Sequence, residues 1–486
     1  MDFYLGIDFG TSSVKTTLID NKGYIVYQSK SPITILNPRP NFYEIDPIKS
    51  WWKKFLEICR NLQKKVNLKE IKAICISSTC GTFVPVDEHL NPVYNAILYG
   101  IDSRSIEQVK RLNKKYSKEF LYMKLGGIFD THSIIPKILW LKENFPNIYN
   151  STRYFVESNN FLTSRLTGII KWDYPTASGA KLVDLQTFEK PEDILEELEI
   201  ESYKIPEFKW PTEILGEIDN KGERLTGLKR GVKIITGACD INAEAIAIGA
   251  IKPGDFIMVL GSTISVLFTI DTPVILEGFI TGISIFKNHY RIGGATSSGG
   301  RFLEWIREFY NIPKEIKISK YIQRPSGIFI LPYIDGARIP YNNPLISVLT
   351  SGIRKSTSKE EILLASYESL GYELALILDK IKLKTKIPNV LYVTGGLVNN
   401  IDLLTTISDI TGKTLKIYKN IDASYGDALL AMSIDLSLDE IYKLPGVQNL
   451  QNSAIHISPN SEVHMKYISF ISKFIELCDF ANLHNF

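Results

Sequence analysis

The chain has 486 residues, more than one hydrophobic core usually serves, so two domains are expected. Hydrophobic residues make up 44% and charged ones 22%, an ordinary globular balance, and the net charge of +3 is spread without a polybasic block, which points away from nucleic acid and membrane surfaces as partners. Five cysteines without a Cys-x-x-Cys pair and six scattered histidines argue for a reducing cytoplasm and against a zinc site, and neither a basic, apolar leader nor an apolar run of ~18 residues marks secretion or a membrane span.

The first element is a short apolar run through Tyr4, Leu5 and Ile7, which suits a buried strand ending at Asp8-Phe9-Gly10. After Thr11-Ser12-Ser13 comes a β-branched run, Val14 to Asp20, so a second strand follows the glycine and not a helix. That excludes a P-loop and a dinucleotide fingerprint, both of which need the glycines to open a helix. The remaining reading is a phosphate-binding hairpin. Gly10 lets the backbone approach an anion, Thr11, Ser12 and Ser13 supply hydroxyls, Lys15 supplies charge, and Asp8 is placed to hold a magnesium ion through water. An ordinary glycine hairpin is the alternative.

A third strand, Tyr24 to Ser29, extends this antiparallel sheet. Asp46-Pro47 then signals a helix start, and Trp51, Trp52, Phe55, Leu56 and Ile58 recur at helical spacing as core residues. A buried strand, Ile71 to Ser77, empties into Ser78-Thr79-Cys80-Gly81-Thr82, the kind of polar loop at a strand end where ligands sit. Strands Phe83 to Val86 and Ala96 to Tyr99 follow, the latter leading to Asp102 and Arg104, which either bind sugar hydroxyls or pair with each other; the first is the reading taken here. From Ser105 to about Arg230 the pattern is mostly helical. Ser158 reads as the N-cap of a helix through Leu162 and Leu166 that stops near Gly168, and Pro191 to Glu201 as a solvated acidic helix face.

The buried-strand pattern returns at Gly231 to Thr236 and ends in Gly237-Ala238-Cys239-Asp240. Asp240 is the candidate catalytic base, with helix capping as its other reading. The small residues Ala243, Ala245, Ala247, Gly249 and Ala250 then give a helix suited to close packing between domains. Next, Gly261-Ser262-Thr263 lies between strands Phe256 to Val259 and Val266 to Ile270. Setting Gly10 on Gly261 places Ile19 on Ile270 and Asp20 on Asp271 at one constant spacing, so the opening hairpin looks duplicated. Asp8 falls opposite Val259, leaving only the first hairpin with a carboxylate for metal. A later pair, Gly395-Gly396, follows the strand Val390 to Val393, precedes a helix Ile401 to Thr411, and can lie against a flat adenine ring.

Together these motifs resemble the FGGY carbohydrate kinases. The carriers are Gly6 to Lys15; Gly237-Ala238-Cys239-Asp240; Lys252-Pro253-Gly254-Asp255; Gly261-Ser262-Thr263; Ser298-Gly299-Gly300 with Glu304-Trp305; Leu331-Pro332-Tyr333 with Gly336; and Val393-Thr394-Gly395-Gly396. The resemblance implies an α/β protein of two RNase H-like domains around a central cleft, the fold of the actin, Hsp70 and sugar kinase superfamily, divided at 1–245 and 246–486. It implies a cytoplasmic ATP- and Mg2+-dependent kinase of a small-molecule sugar, with a homodimer left open as its assembly. On this resemblance Gly10, Thr11, Ser12, Ser13, Lys15, Gly261, Ser262, Gly300, Glu304, Gly396 and Asn400 bind the nucleotide, Asp8 serves Mg2+, and Asp240 is the base. Thr79, Cys80, Gly81, Thr82, Asp102 and Arg104 join Asp240 at the sugar.

Glycerol kinases of the family carry Arg-Glu on the loop after the strand Ile71 to Ser77, and xylulokinases carry Met-His. This chain has Cys80-Gly81, which implies a less polar, roomier pocket and a ketopentose such as xylulose or ribulose ahead of glycerol or another polyol. A sugar or nucleotide sensor and a chaperone-type ATPase are the other classes. Asp8 and Asp240 speak against the sensor, and the lack of a peptide-binding domain after the core against the chaperone.

Overall fold

A computed structural model describes residues 2–319, 322–419 and 421–485. The run Phe3–Phe9 is buried along its whole length, as a strand covered on both faces must be, and forms β1. It pairs antiparallel with β2 (Ser13–Asp20), which pairs with β3 (Ile25–Pro32), a strand starting one residue later and reaching further than the expected Tyr24 to Ser29. On its other side β1 runs parallel to β4 (Ile71–Ser78). With β5 (Ile214–Glu217) and β6 (Lys233–Ile235) the sheet order is β5-β6-β4-β1-β2-β3.

The second lobe repeats this plan. Strands β7 (Phe256–Leu260) and β8 (Ile264–Ile270) form an antiparallel hairpin. Outward from β8 lie β10 (Tyr290–Ala295) and β9 (Ile280–Ile283); outward from β7 lie β11 (Val390–Thr394), β12 (Thr414–Ile417) and β13 (Ile455–Ile457). As β1 lies between an antiparallel β2 and a parallel β4, so β7 lies between an antiparallel β8 and a parallel β11. The duplication is real in topology, but its register differs from the one the sequence suggested. Phe9 faces Val14 across the turn Gly10–Ser13, whereas Leu260 faces Ile264 across a turn one residue shorter. Beyond the turn the match therefore slips by one, so Ile19 corresponds to Thr269 and Asp20 to Ile270. The identities with Ile270 and Asp271 are coincidental; Asp8 opposite Val259 stands.

Four short strands, Glu44–Ile45, Ala96–Ile97, Phe83–Val86 and Tyr154–Glu157, form a separate antiparallel sheet beside the first lobe. The strand expected through Tyr99 stops at Ile97. Asp46 caps its helix as read, accepting from the amides of Ile48 and Lys49, and Trp51, Trp52, Phe55 and Ile58 are core residues. Ser158 is not a cap. The helix Ser158–Thr167 has Glu157 at that position, and the Ser158 hydroxyl is 2.5 Å from that of Ser78, buried between helix and sheet. The acidic stretch after Pro191 contains only a short helix, Glu192–Glu197.

The lobes meet through two helices, each following the last parallel strand of its own sheet. These are α1 (Asp240–Ile248) and α4 (Ala423–Met432); α2 (Gly300–Phe309) and α3 (Ile401–Thr411) lie in the second lobe, α3 with the expected bounds. The boundary placed after Ala245 falls inside α1. Helix α4 lies on the first lobe's sheet and against α1, so closely that glycine is required twice. A Cβ on Gly6 of β1 would stand 2.0 Å from the Ser424 carbonyl oxygen, and one on Gly426 would stand 1.8 Å from that of Ala243. Polar contacts fix the same joint: the Asp427 carboxylate accepts from the amide (3.2 Å) and hydroxyl (2.6 Å) of Ser77, and the Thr17 and Ser424 hydroxyls are 2.7 Å apart.

Because backbone cannot yield as a side chain can, Gly426→Ala is expected to cost about 3 kcal/mol or more despite alanine's better helix propensity. Gly168→Ala, at a helix end with nothing within 4 Å, should cost about 1 kcal/mol. Urea midpoints of the two variants check this, and equal shifts would contradict the packing account.

Candidate active site

Three loops at the ends of β1, β7 and β11 converge on the cleft between the lobes. Residues of the Gly10–Ser13 turn, the Gly261–Thr263 turn and the segment 395–399, with Gly300, Arg301 and Glu304 of α2, line a cavity of about 1070 Å³. Each hairpin turn closes on itself, Gly10 N donating to Ser13 O at 3.1 Å and Gly261 N to Thr263 O at 3.0 Å. Among the described residues, the amides of Thr11 and Ser12, and those of Ser262 and Thr263, find no acceptor within the protein. Thr11, Ser12 and Ser262 thus border this cavity with unsatisfied amides, an arrangement suited to anionic oxygens, while Thr263 borders an adjoining chamber. Helix α2 is docked on the second turn, its Gly300 and Arg301 amides donating to the carbonyls of Gly261 (2.9 Å) and Ser262 (3.2 Å).

Of the residues read as nucleotide-binding, Asn400 alone stands away from this cavity. It caps α3, accepting from Leu403 N at 3.2 Å and donating to the Tyr367 hydroxyl at 3.0 Å, and its neighbour Asn399 lines the cleft instead. The strand pairing that sets Asp8 opposite Lys15 also brings their side chains together, with Nζ 3.3 Å from Oδ2. Lys15 Nζ is 3.9 Å from Asp422 Oδ2 as well. Asp422 and Glu244 were not read from the sequence, yet Asp422 had a signal: a buried strand, a carboxylate and a small-residue helix, the same order as Ile235, Asp240 and α1.

The floor of this cavity is short of positive charge. Asp8, Asp240, Glu244 and Asp422 share Lys15. Burial, with added repulsion from Asp240 and Asp422, pushes Asp8 up to about 7 against the pull of Lys15. Burial pushes Asp240 up to about 6, opposed by the Ile241 amide and Lys15, and pushes Glu244 up to about 8, aided by Asp240. Asp8 Oδ1 is buried without a partner, and among the described residues no three His, Cys, Asp or Glu side chains converge on a metal cage. Asp240 is the first residue of α1, not its cap, which is Cys239.

An inner chamber of about 280 Å³ lies deeper, and Asp240 and Thr11 line both spaces. Thr79 and Cys80 of the expected sugar loop line it. Gly81 does not; its backbone lies against the carbonyl of His132. Thr82 is buried beneath the loop, its hydroxyl 2.9 Å from that of Thr79 and accepting from Tyr99 N at 3.2 Å. Asp102 and Arg104 follow the other of their two readings. They pair with each other (2.8 Å), Arg104 also pairs with Glu44 (2.9 Å) and lies over Phe42 and Trp140, and Tyr43 N donates to Asp102 at 2.6 Å. They hold the small sheet together, away from the chamber.

Nor is the chamber poor in polar groups. Tyr99, His132, Arg291 and Arg338 enter from segments far apart in sequence, beside Ile241, Val266, Leu267 and Ile280. Thr11 Oγ1 donates to the Tyr99 hydroxyl at 3.2 Å, joining the first hairpin to this wall. Only Tyr99 had a sequence signal, the strand-end loop that also held Asp102; the other three depend on tertiary contacts.

The family models for the N-terminal and C-terminal domains of the FGGY family of carbohydrate kinases match residues 3–247 and 256–433. The chain is 24% identical to the xylulose kinase of Bacillus subtilis over 446 residues, 89% of this chain and 88% of that one. It is 27% identical to glycerol kinase 1 of Saccharolobus solfataricus over 447 residues, 88% of this chain and 87% of that one. The crystal structure of gluconate kinase from Lactobacillus acidophilus superposes with a TM-score of 0.90 at 21% identity, covering 99% of this chain and 98% of that one. The chain belongs to the FGGY family of carbohydrate kinases, with the two-domain fold of the actin, Hsp70 and sugar kinase superfamily, and is an ATP-dependent sugar phosphotransferase.

The charge arrangement has a stability cost whose sign is fixed. Glu244 binds its proton more tightly folded than unfolded (about 8 against ~4.3), so the folded state is penalised increasingly as pH rises towards 8 and not at all below the unfolded value. Without nucleotide or divalent metal, Glu244→Gln should melt above wild type at pH 8.5, with the gap closing towards pH 5. A gap independent of pH would contradict the assigned environment.

Proposed function

We propose that this kinase transfers the γ-phosphoryl group of ATP from the outer cavity to a hydroxyl of a five- or six-carbon sugar in the inner chamber, with Asp240 as general base. The observation that carries this reading is that Asp240 and Thr11 line both cavities, so a donor in one and an acceptor in the other meet at a carboxylate. In this reading the free amides of Thr11, Ser12 and Ser262 and the hydroxyls of Ser12 and Ser13 hold phosphate oxygens. Gly261, Gly300, Glu304 and Gly396 border the rest of the nucleotide. Lys15, kept charged because Asp8, Asp422 and Glu244 together outweigh its burial, faces the transferred group.

The residues present fit Mg2+. Asp8 offers a buried oxygen without a partner among the described residues, and would hold the ion together with phosphate oxygens and water. When bound, Mg2+ offsets negative charge on the phosphates. The chain itself positions and moves the proton. Asp240 accepts through Oδ1 from the amide of Ile241 (2.9 Å), which leaves Oδ2, without a partner among the described residues, for the acceptor hydroxyl, whose proton it takes as the hydroxyl attacks phosphorus in line. Its raised value brings the base nearer neutrality, where general bases work best. Closure of the lobes on the bound reactants would keep water, a competing acceptor, from the junction.

The chamber, at about 280 Å³, has room for an acceptor longer than glycerol. Xylulose and ribulose are the neutral sugars this favours over glycerol, the alternative acceptor. Asp240→Asn should lower kcat by about 10²–10⁴ while leaving ATP affinity nearly unchanged. In the wild type kcat/KM should rise with pH through about 6 and then level. Steady-state kinetics with xylulose, ribulose and glycerol read all three expectations; near wild-type turnover in the variant would remove Asp240 from the role.

A further inference from the structure

Resting on the reading that the inner chamber holds the acceptor, we infer that the acceptor carries a carboxylate, and that Arg338 is the residue that binds it. The chamber has two guanidinium groups in its wall and one carboxylate, Asp240. Asp240 feels the charge of Lys15 from the outer cavity, and among the described residues no ion pair joins it to either arginine. Arg291 is committed to the protein: its guanidinium donates to Asn242 Oδ1 at 3.1 Å and to the Pro175 carbonyl at 2.6 Å. Arg338 is not. Among the described residues its one polar partner is the Nε2 of His132, 2.5 Å away, and no carboxylate lies within ion-pair distance.

His132 is a neutral partner. Burial first, and the charge of Arg338 second, hold its ring down at about 3, so Nε2 accepts and adds no charge of its own. Asp130 is the carboxylate whose charge acts on Arg338, but its Oδ1 accepts from the amides of His132 (2.9 Å) and Ser133 (3.0 Å) and from the Ser133 hydroxyl (2.9 Å), and Lys181 also acts on it. Asp130 thus builds the turn that presents His132.

A guanidinium is planar, always charged and shaped for two parallel bonds to a carboxylate, and a desolvated one without an anion is costly to keep. A neutral ketose supplies dipoles only. A carboxylate at the far end of a sugar acid supplies the missing charge, and its single charge suits a chamber that already holds Asp240 better than a phosphate dianion does. A site built around such a pair rejects the analogue that lacks it far more strongly than a hydrophobic site rejects a missing methylene.

The test is steady-state kinetics of the full chain with ATP and Mg2+ on five- and six-carbon aldonates, uronates, the neutral sugars of the same length, glycerol and sugar phosphates, together with thermal shifts by the same compounds. At least one sugar acid should exceed the matched neutral sugar by about 100-fold or more in kcat/KM. Arg338→Gln should remove most of that advantage, chiefly through KM, and so lower kcat/KM for the acid by a much larger factor than for the matched neutral sugar; Arg338→Lys should recover part of it. The inference is overturned if neutral sugars or sugar phosphates are the best acceptors, or if Arg338→Gln weakens acids and neutral sugars alike. Should no acceptor be phosphorylated, the kinase reading fails, and stabilisation by a sugar acid in wild type but not in Arg338→Gln still decides whether the chamber binds a carboxylate.

Discussion

The seating of α4 between β1 and α1 is the contact on which the site depends. Gly6 and Gly426 let a helix of the second lobe approach a strand and a helix of the first at backbone distance. That approach puts the starts of α1 and α4 side by side, bringing Asp240 and Asp422 to the same floor as the first hairpin. The buried core at this joint draws residues from both lobes, among them Tyr4, Cys75, Ala245, Ile257, Leu267, Tyr425 and Leu429. A single larger side chain at either glycine would separate the strand carrying Asp8 from the helix bearing Asp422, and Lys15 could no longer bridge them.

Duplication supplies the symmetry and small departures from it supply the chemistry. Both lobes offer a glycine turn with two free amides, and both place a carboxylate at the head of a small-residue helix. Asp8 opposite Val259 gives only one hairpin a carboxylate and lysine pair. Burial, reinforced at Asp8 by the carboxylates of Asp240 and Asp422, keeps Asp8 and Asp240 at values well above ordinary aspartates, which destabilises the empty protein and readies the cleft for cations and a base.

Much of the outer cavity was legible in the sequence because its parts are local. A strand, a glycine and three hydroxyls are contiguous, and the buried strand ending in Asp240 is a local pattern too. The inner chamber was not, because its character is set by side chains that arrive from elsewhere. The loop Thr79 to Thr82 contributes two of the lining residues, whereas Arg338 and His132 are more than two hundred positions apart and meet only in the fold. Asp102 and Arg104 misled for a related reason: a carboxylate and a guanidinium two residues apart satisfy each other when buried, and sequence does not tell a buried pair from an open one. Helix α3 has the bounds read from its pattern, and the structure ends it at Gly412 in the left-handed conformation, while the register of the duplicated hairpin failed on a turn one residue shorter, which leaves no compositional trace.

The central claim is direct passage of a phosphoryl group between two cavities that meet at Asp240. Its most direct measurement is the stereochemistry at phosphorus, using ATP made chiral at the γ-position with oxygen isotopes and the fastest acceptor. A single in-line displacement predicts inversion in the phosphorylated sugar. Retention would mean two displacements through a phosphorylated side chain, and would contradict an Asp240 that acts only on the acceptor's proton.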